Sequence, residues 1–152
     1  QLVDVNKLRF SCALPGFCRP VKVGDRYYYD GGVADSIPLH HAIEQGCTKM
    51  VVILSNPRNF VKKPEAHRPL YKHMLHKYPK TIQSIDNRHI NYQASIDLAC
   101  RLEKEGYVFI FAPSRHMPLS TFSKDAALEQ DLYDLGVADY EARAEELKHF
   151  LN

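Results

Sequence analysis

The chain has 152 residues, 45% of them apolar and 25% charged, with a formal net charge of +2. That length and balance suit one soluble globular domain with a real core, and leave little room for a second. They also speak against a nucleic-acid-binding domain, whose mark is a basic stripe. Lys and Arg alternate with Asp and Glu along most of the chain, and the mildly basic stretch at 58–80 reads as a solvated helical face. No run approaches the about 18 apolar residues of a membrane-spanning helix, and no signal peptide is visible. Cys12, Cys18, Cys47 and Cys100 form no C-x-x-C pair and have no His at zinc spacing. They read as reduced thiols in a cytoplasmic protein. The chain begins at Gln1 and its first Met is Met50, so it is expected to be part of a longer product.

In chain order, residues 8–20 hold two Pro, a Gly and no clean period, which predicts an irregular segment over a core. "PVKVGDRYYYDGG" predicts a hairpin turning at Gly24-Asp25, with its second strand ending at Asp30. Pro38 is placed to open a helix, with Ser36 as its cap, an apolar face of Leu39, Ala42 and Ile43, and Gly46 as its stop. "KMVVIL" at 49–54 is a continuous β-branched run, expected as a parallel strand buried on both faces. A short helix is predicted over 66–77, with Pro79 interrupting. A longer one follows over 81–104, with Ile82, Ile85, Ile96 and Ala99 at helical spacing and His89 and Tyr92 on the same face. "YVFIFAP" at 107–113 is a second buried strand. Ser123 should cap a helix that Gly136 breaks, and a last helix should cover 139–151. Two parallel-type strands, one hairpin and many helices predict an α/β fold whose narrow sheet is part of a larger one.

Asp30 is the first candidate for chemistry. It ends a strand, where an α/β fold places its ligands, and two glycines follow it, which let a backbone pass close to a neighbour. Asp-Gly is equally a turn dipeptide, so the residue types alone leave a turn aspartate and a catalytic carboxylate both open. A serine nucleophile elbow needs Gly two residues either side of the Ser, and none of the seven glycines meets that spacing. Ser55 sits at a strand end as a cap or turn residue. His40 and His41 diverge on a helix and cannot share one ion, and His89 reads as a core histidine with its hydrogen bonds made. Asp30 and Asp35 lack the third acid or phosphate loop of a magnesium site. The acids at 141–146 read as a solvated helix face. No cofactor is implied.

Residues 11–54, "SCALPGFCRPVKVGDRYYYDGGVADSIPLHHAIEQGCTKMVVIL", resemble the second half of a patatin-like phospholipase domain. The matching features are Ser11, Pro15, Phe17, Pro20, the hairpin, Tyr29, Asp30, Gly31, Gly32, Pro38 and the strand that follows. "NRHINY" and "LEKEGYVFIFAP" extend the resemblance to the bacterial branch of the family and to nearly the whole chain. It implies that residues 1–152 are the C-terminal portion of a single patatin-like domain with a three-layer α/β/α fold, a mostly parallel sheet and a β-hairpin. The implied activity is lipid acyl-ester hydrolysis by a Ser-Asp dyad. Asp30 would be the base, and Gly31 and Gly32 the loop lying against the elbow. The serine and the oxyanion loop would lie in an upstream segment of the same or another chain. The implied partners are a lipid or other acyl ester and, transiently, a membrane surface. The alternative is a non-catalytic binding module that keeps the scaffold.

Overall fold

A computed structural model describes residues 5–118 and 124–152. The fold is α/β, with an antiparallel hairpin and a two-stranded parallel sheet. The chain divides into two units, Gln1–Pro38 with Lys62–Ile96, and Leu39–Val61 with Asp97–Asn152.

The first unit opens with a helix where an irregular segment is expected. α1 spans Val5–Ser11, and the Pro15 and Gly16 that suggest irregularity act only beyond its end. There Cys18 N–H donates to Leu14 O at 2.9 Å, and Gly16 takes a φ of +86°. The hairpin forms as expected from β1 (Val21–Val23) and β2 (Arg26–Tyr28), paired Val21 to Tyr28 and Val23 to Arg26. Gly24 supplies the positive φ of its two-residue turn. β2 stops at Tyr28, two residues earlier than predicted, because Asp30 N–H turns away to donate to Ala13 O at 3.0 Å. α3 (Arg68–Met74) leads into α4 (Pro79–Lys104). Pro79 opens α4 rather than interrupting, which suits a residue with fixed φ and no N–H to satisfy. Val33, Leu75 and Ile85 form this unit's core, with Tyr29, Tyr71, Tyr78 and Ile82 packed on it.

The second unit begins with α2 (Leu39–Glu44), stopped near Gly46 at a φ of +83°. Ser36 does not cap it. Its Oγ donates instead to Gly32 O. β3 (Met50–Ile53) and β4 (Val108–Phe111) pair in parallel, Met50 to Val108 and Ile53 to Phe111. β4 is buried on both faces, with Val108 and Ile110 fully enclosed. β3 is not. Val52 and Leu54 are buried, but Ile53 on the opposite face is 79% exposed. The run in the sequence reports only that both faces are apolar, and what covers them is settled elsewhere. α5 (Ala126–Leu151) is one helix, not two, and passes through Gly136 without a break. A glycine in a helix interior costs about 1 kcal/mol, too little to interrupt so long a run. Its cap is Asp125, whose Oδ1 accepts from Ala127 N–H and Leu128 N–H at 3.1 Å. The expected cap Ser123 lies outside the described residues. Phe150 and Tyr140 set α5 against Phe109 and Phe111, with ring centroids 5.7 and 6.0 Å apart.

Candidate active site

β2 delivers the chain to Tyr29, whose ring meets Tyr78 edge-on at 5.6 Å. Asp30 follows, half-buried. Its backbone N–H is tied to Ala13, and its side chain caps the short 3-10 turn Gly31–Val33 by accepting from Gly32 N–H at 2.8 Å. Among the described residues that N–H is the single hydrogen-bond donor to the carboxylate, and no cation pairs with it. A carboxylate has acceptor sites to spare, so Asp30 keeps capacity for a proton on an incoming group.

The glycines do different work. A Cβ on Gly31 would meet nothing within 4 Å, whereas one on Gly32 would sit 3.2 Å from Asp30 Oδ1. Gly32 is therefore the position where a side chain crowds the carboxylate. Neither residue has the left-handed φ that demands glycine.

Residues far along the chain fix the loop. Gly32 O accepts from Ser36 Oγ at 2.7 Å and from Arg88 Nε at 3.1 Å. Arg88 Nη1 also pairs with Glu65 at 3.1 Å, and Lys62 approaches the same carboxylate at 3.7 Å. Asn91 Nδ2 reaches Ala34 O at 3.4 Å. The guanidinium thus binds the loop's backbone and leaves Asp30 without a counter-ion. Arg88 and Asn91 belong to the "NRHINY" stretch, three residues apart on one face of α4. That spacing was the available signal, but nothing local says which carbonyls the two side chains reach.

The other candidates separate. His40 and His41 are exposed on α2, and His41 lies 3.8 Å from Glu44. Asp35 Oδ1 accepts from Ile37 N–H rather than joining Asp30. His89 is half-buried, and its Nδ1 is enclosed without a hydrogen-bond partner among the described residues, contrary to the expected satisfied core histidine. The four cysteines are free. Among the described residues no three His, Cys, Asp or Glu side chains gather to hold a metal ion. Ser11 is exposed at the end of α1. Ser55 borders an apolar cavity of about 430 Å³ in the second unit, between the ends of β3 and β4 and the Leu132, Leu135 and Tyr140 side of α5.

Comparison with known proteins divides the chain. The sequence model of the patatin-like phospholipase family matches residues 5–43, which include Asp30, Gly31 and Gly32. The model of a domain of unknown function, DUF6363, matches residues 78–152. The patatin-like match is therefore a short stretch near the beginning of this chain, and does not extend over the C-terminal half as the sequence resemblance suggests. The uncharacterized protein YjjU of Escherichia coli (strain K12) is 39% identical over 62 residues. Those residues are 40% of this chain and 17% of that protein's length. No solved structure matches.

Proposed function

We propose that this chain is the aspartate-bearing part of a lipid acyl hydrolase of the patatin-like kind, acting on a carboxylic ester through a Ser-Asp dyad. The observation that carries the reading is Asp30. Among the described residues it is a carboxylate without a counter-ion, in the stretch similar to patatin-like phospholipases, on a loop fixed by Ala13, Ser36 and Arg88. In the proposed reaction the base takes the serine hydroxyl proton as the oxygen attacks the ester carbonyl. It returns that proton to the departing alcohol, then repeats the exchange with water to release the acid and restore the serine. The serine and the oxyanion donors come from a segment that this chain does not supply, since no G-x-S-x-G occurs in it. The open face of β3 supports a larger, mostly parallel sheet within a three-layer α/β/α fold in the complete enzyme, with residues 1–152 as one portion of that domain.

The missing elbow also favours a second reading, a non-catalytic module on the same scaffold. Hydrolysis of a short-chain p-nitrophenyl ester by the full-length protein and by its Asp30→Ala variant separates the two. A loss of roughly 10²–10⁴-fold, the usual worth of a positioned base, supports the enzyme. Absence of hydrolysis in the intact protein supports the module.

A further inference from the structure

The charges that look interspersed along the chain segregate by unit. The first unit carries twelve Lys and Arg against six Asp and Glu, a net of +6. The second carries eight against twelve, a net of −4. Within the first unit, three of the seven Lys and Arg at 62–88 pair with a carboxylate among the described residues, and Lys63, Lys72, Lys77 and Lys80 do not. Arg68 makes a two-pronged pair with Asp86, while Arg88 and Lys62 share Glu65. Residues 5–28 hold five Lys and Arg and a lone acid, Asp25. Among the described residues Arg9, Arg19, Lys22 and Arg26 are exposed and pair with no carboxylate.

Apolar side chains stand among these cations. Phe17 is 74% exposed at the turn after α1, and Leu8, Val23 and Tyr27 are also exposed. The elements that bear them are joined. Phe10 of α1 stacks on Tyr28 of β2 at 5.7 Å, and Cys18 Sγ lies 3.7 Å from Cys12 O. Lys22 Nζ lies 5.9 Å from the centre of the Tyr27 ring across the hairpin. The hairpin is thus a two-stranded ribbon with most of its side chains in solvent on both faces, an arrangement with little stability of its own.

We propose that the surface formed by α1, the turn at residues 14–18 and the β1–β2 hairpin docks onto an anionic lipid surface. Unpaired Lys and Arg draw such a surface in. Leu8, Phe17 and Val23 can enter the acyl boundary while the long basic stems keep their heads at the phosphates. The aliphatic members favour lipid over nucleic acid, which would use the cations and the aromatic rings but not Leu8 or Val23. The unpaired cations favour lipid over an apolar protein segment, which would leave them without partners.

The inference gives the lipid-hydrolase reading its surface and rests on it for biological sense, but binding is measured without turnover. Full-length protein is mixed with vesicles of phosphatidylcholine alone, and of phosphatidylcholine with phosphatidylglycerol, and sedimented at low and high salt. The expected result is binding to the anionic vesicles only, weakened by salt, and reduced about fivefold for each of Arg19→Gln and Lys22→Gln. Phe17→Ser should remove what binding survives at high salt, and Lys104→Gln and Lys124→Gln in the acidic unit should change nothing. Equal binding to both vesicles, no binding, indifference to the Arg19, Lys22 and Phe17 variants, or displacement by a duplex oligonucleotide in preference to lipid would each overturn the inference. Hydrolysis of a soluble ester without vesicle binding counts against this surface alone, and vesicle binding without ester hydrolysis counts against the hydrolase alone.

Discussion

In the first unit, the loop that carries Asp30 is positioned by polar groups converging on backbone carbonyls, with Ser36 and Arg88 both on Gly32 O and Asn91 on Ala34 O. In the second, β4 is positioned by burial, and its polar contacts secure a strand already enclosed. There Ile110 O accepts from Arg143 at 2.7 Å and from Arg58 at 3.0 Å, and Ile110 N–H donates to Glu103. Part-exposed polar contacts contribute about 1 kcal/mol each to stability but fix direction closely, whereas buried aliphatics contribute more and fix direction less. The difference teaches where a substitution should register. Losses around Asp30 should appear in rate more than in melting, and losses around Ile110 in melting more than in rate.

Apart from Asp30 itself, the largest expected departure tests the first half of that contrast. Arg88→Ala removes a donor to Gly32 O and, among the described residues, leaves Glu65 with Lys62 alone. A displacement of about 1 Å in a catalytic group costs up to about 10²-fold, so ester hydrolysis should fall by as much as that, with a destabilisation of about 1 kcal/mol. Thermal melts and steady-state kinetics on one preparation check both. If melting collapses while the rate per folded molecule holds, the contrast between the units is broken from this side.

A smaller effect belongs to Glu103. The hydrogen bonds from Arg58 come first in holding its carboxyl below the ordinary 4.5, opposed by burial and aided by Arg58's charge and the Ile110 N–H. A carboxyl whose folded value lies below its unfolded value stabilises the fold fully above the unfolded value. That contribution is lost as pH falls from about 4.5 through the folded value. Urea titrations across this window should show an acid-sensitive limb in the parent protein that Glu103→Gln flattens, at a cost of about 1 kcal/mol near neutrality. Ester hydrolysis per folded molecule should be unchanged.

The smallest effect separates the two glycines. Gly31→Ala meets open space among the described residues and should stay within about 0.5 kcal/mol of the parent in stability, with the smaller change in kinetics of the two. Gly32→Ala places a methyl against Asp30 Oδ1, so it should slow hydrolysis at similar stability. Equal behaviour of the pair would show that the loop's geometry does not reach the carboxylate.

The sequence makes the local features legible. Gly24 marks the hairpin turn, "KMVVIL" and "YVFIFAP" mark the parallel strands, and the apolar spacing through Ile82, Ile85, Ile96 and Ala99 marks α4. Asp30 followed by two glycines marks the loop. The sequence does not show how these features are completed. Arg88 meets Gly32 across 56 residues, and no period or propensity encodes that contact. The open side of β3 is a property of what packs there, not of its own run. The remaining errors come from giving single residues too much weight. Pro15 and Gly16 hide α1, and Gly136 reads as a break in α5, yet the neighbouring helical turns decide both cases.

The measurement that tests the central claim most directly is kcat/KM of the full-length protein for a short-chain p-nitrophenyl ester with Asp30→Asn. Asparagine keeps an oxygen for Gly32 N–H, and so the turn, but cannot take a proton at neutral pH. The account predicts a loss of roughly 10²–10⁴-fold with the melting temperature unchanged. Hydrolysis that continues at the parent rate would contradict it, and would leave Asp30 as the cap of a turn.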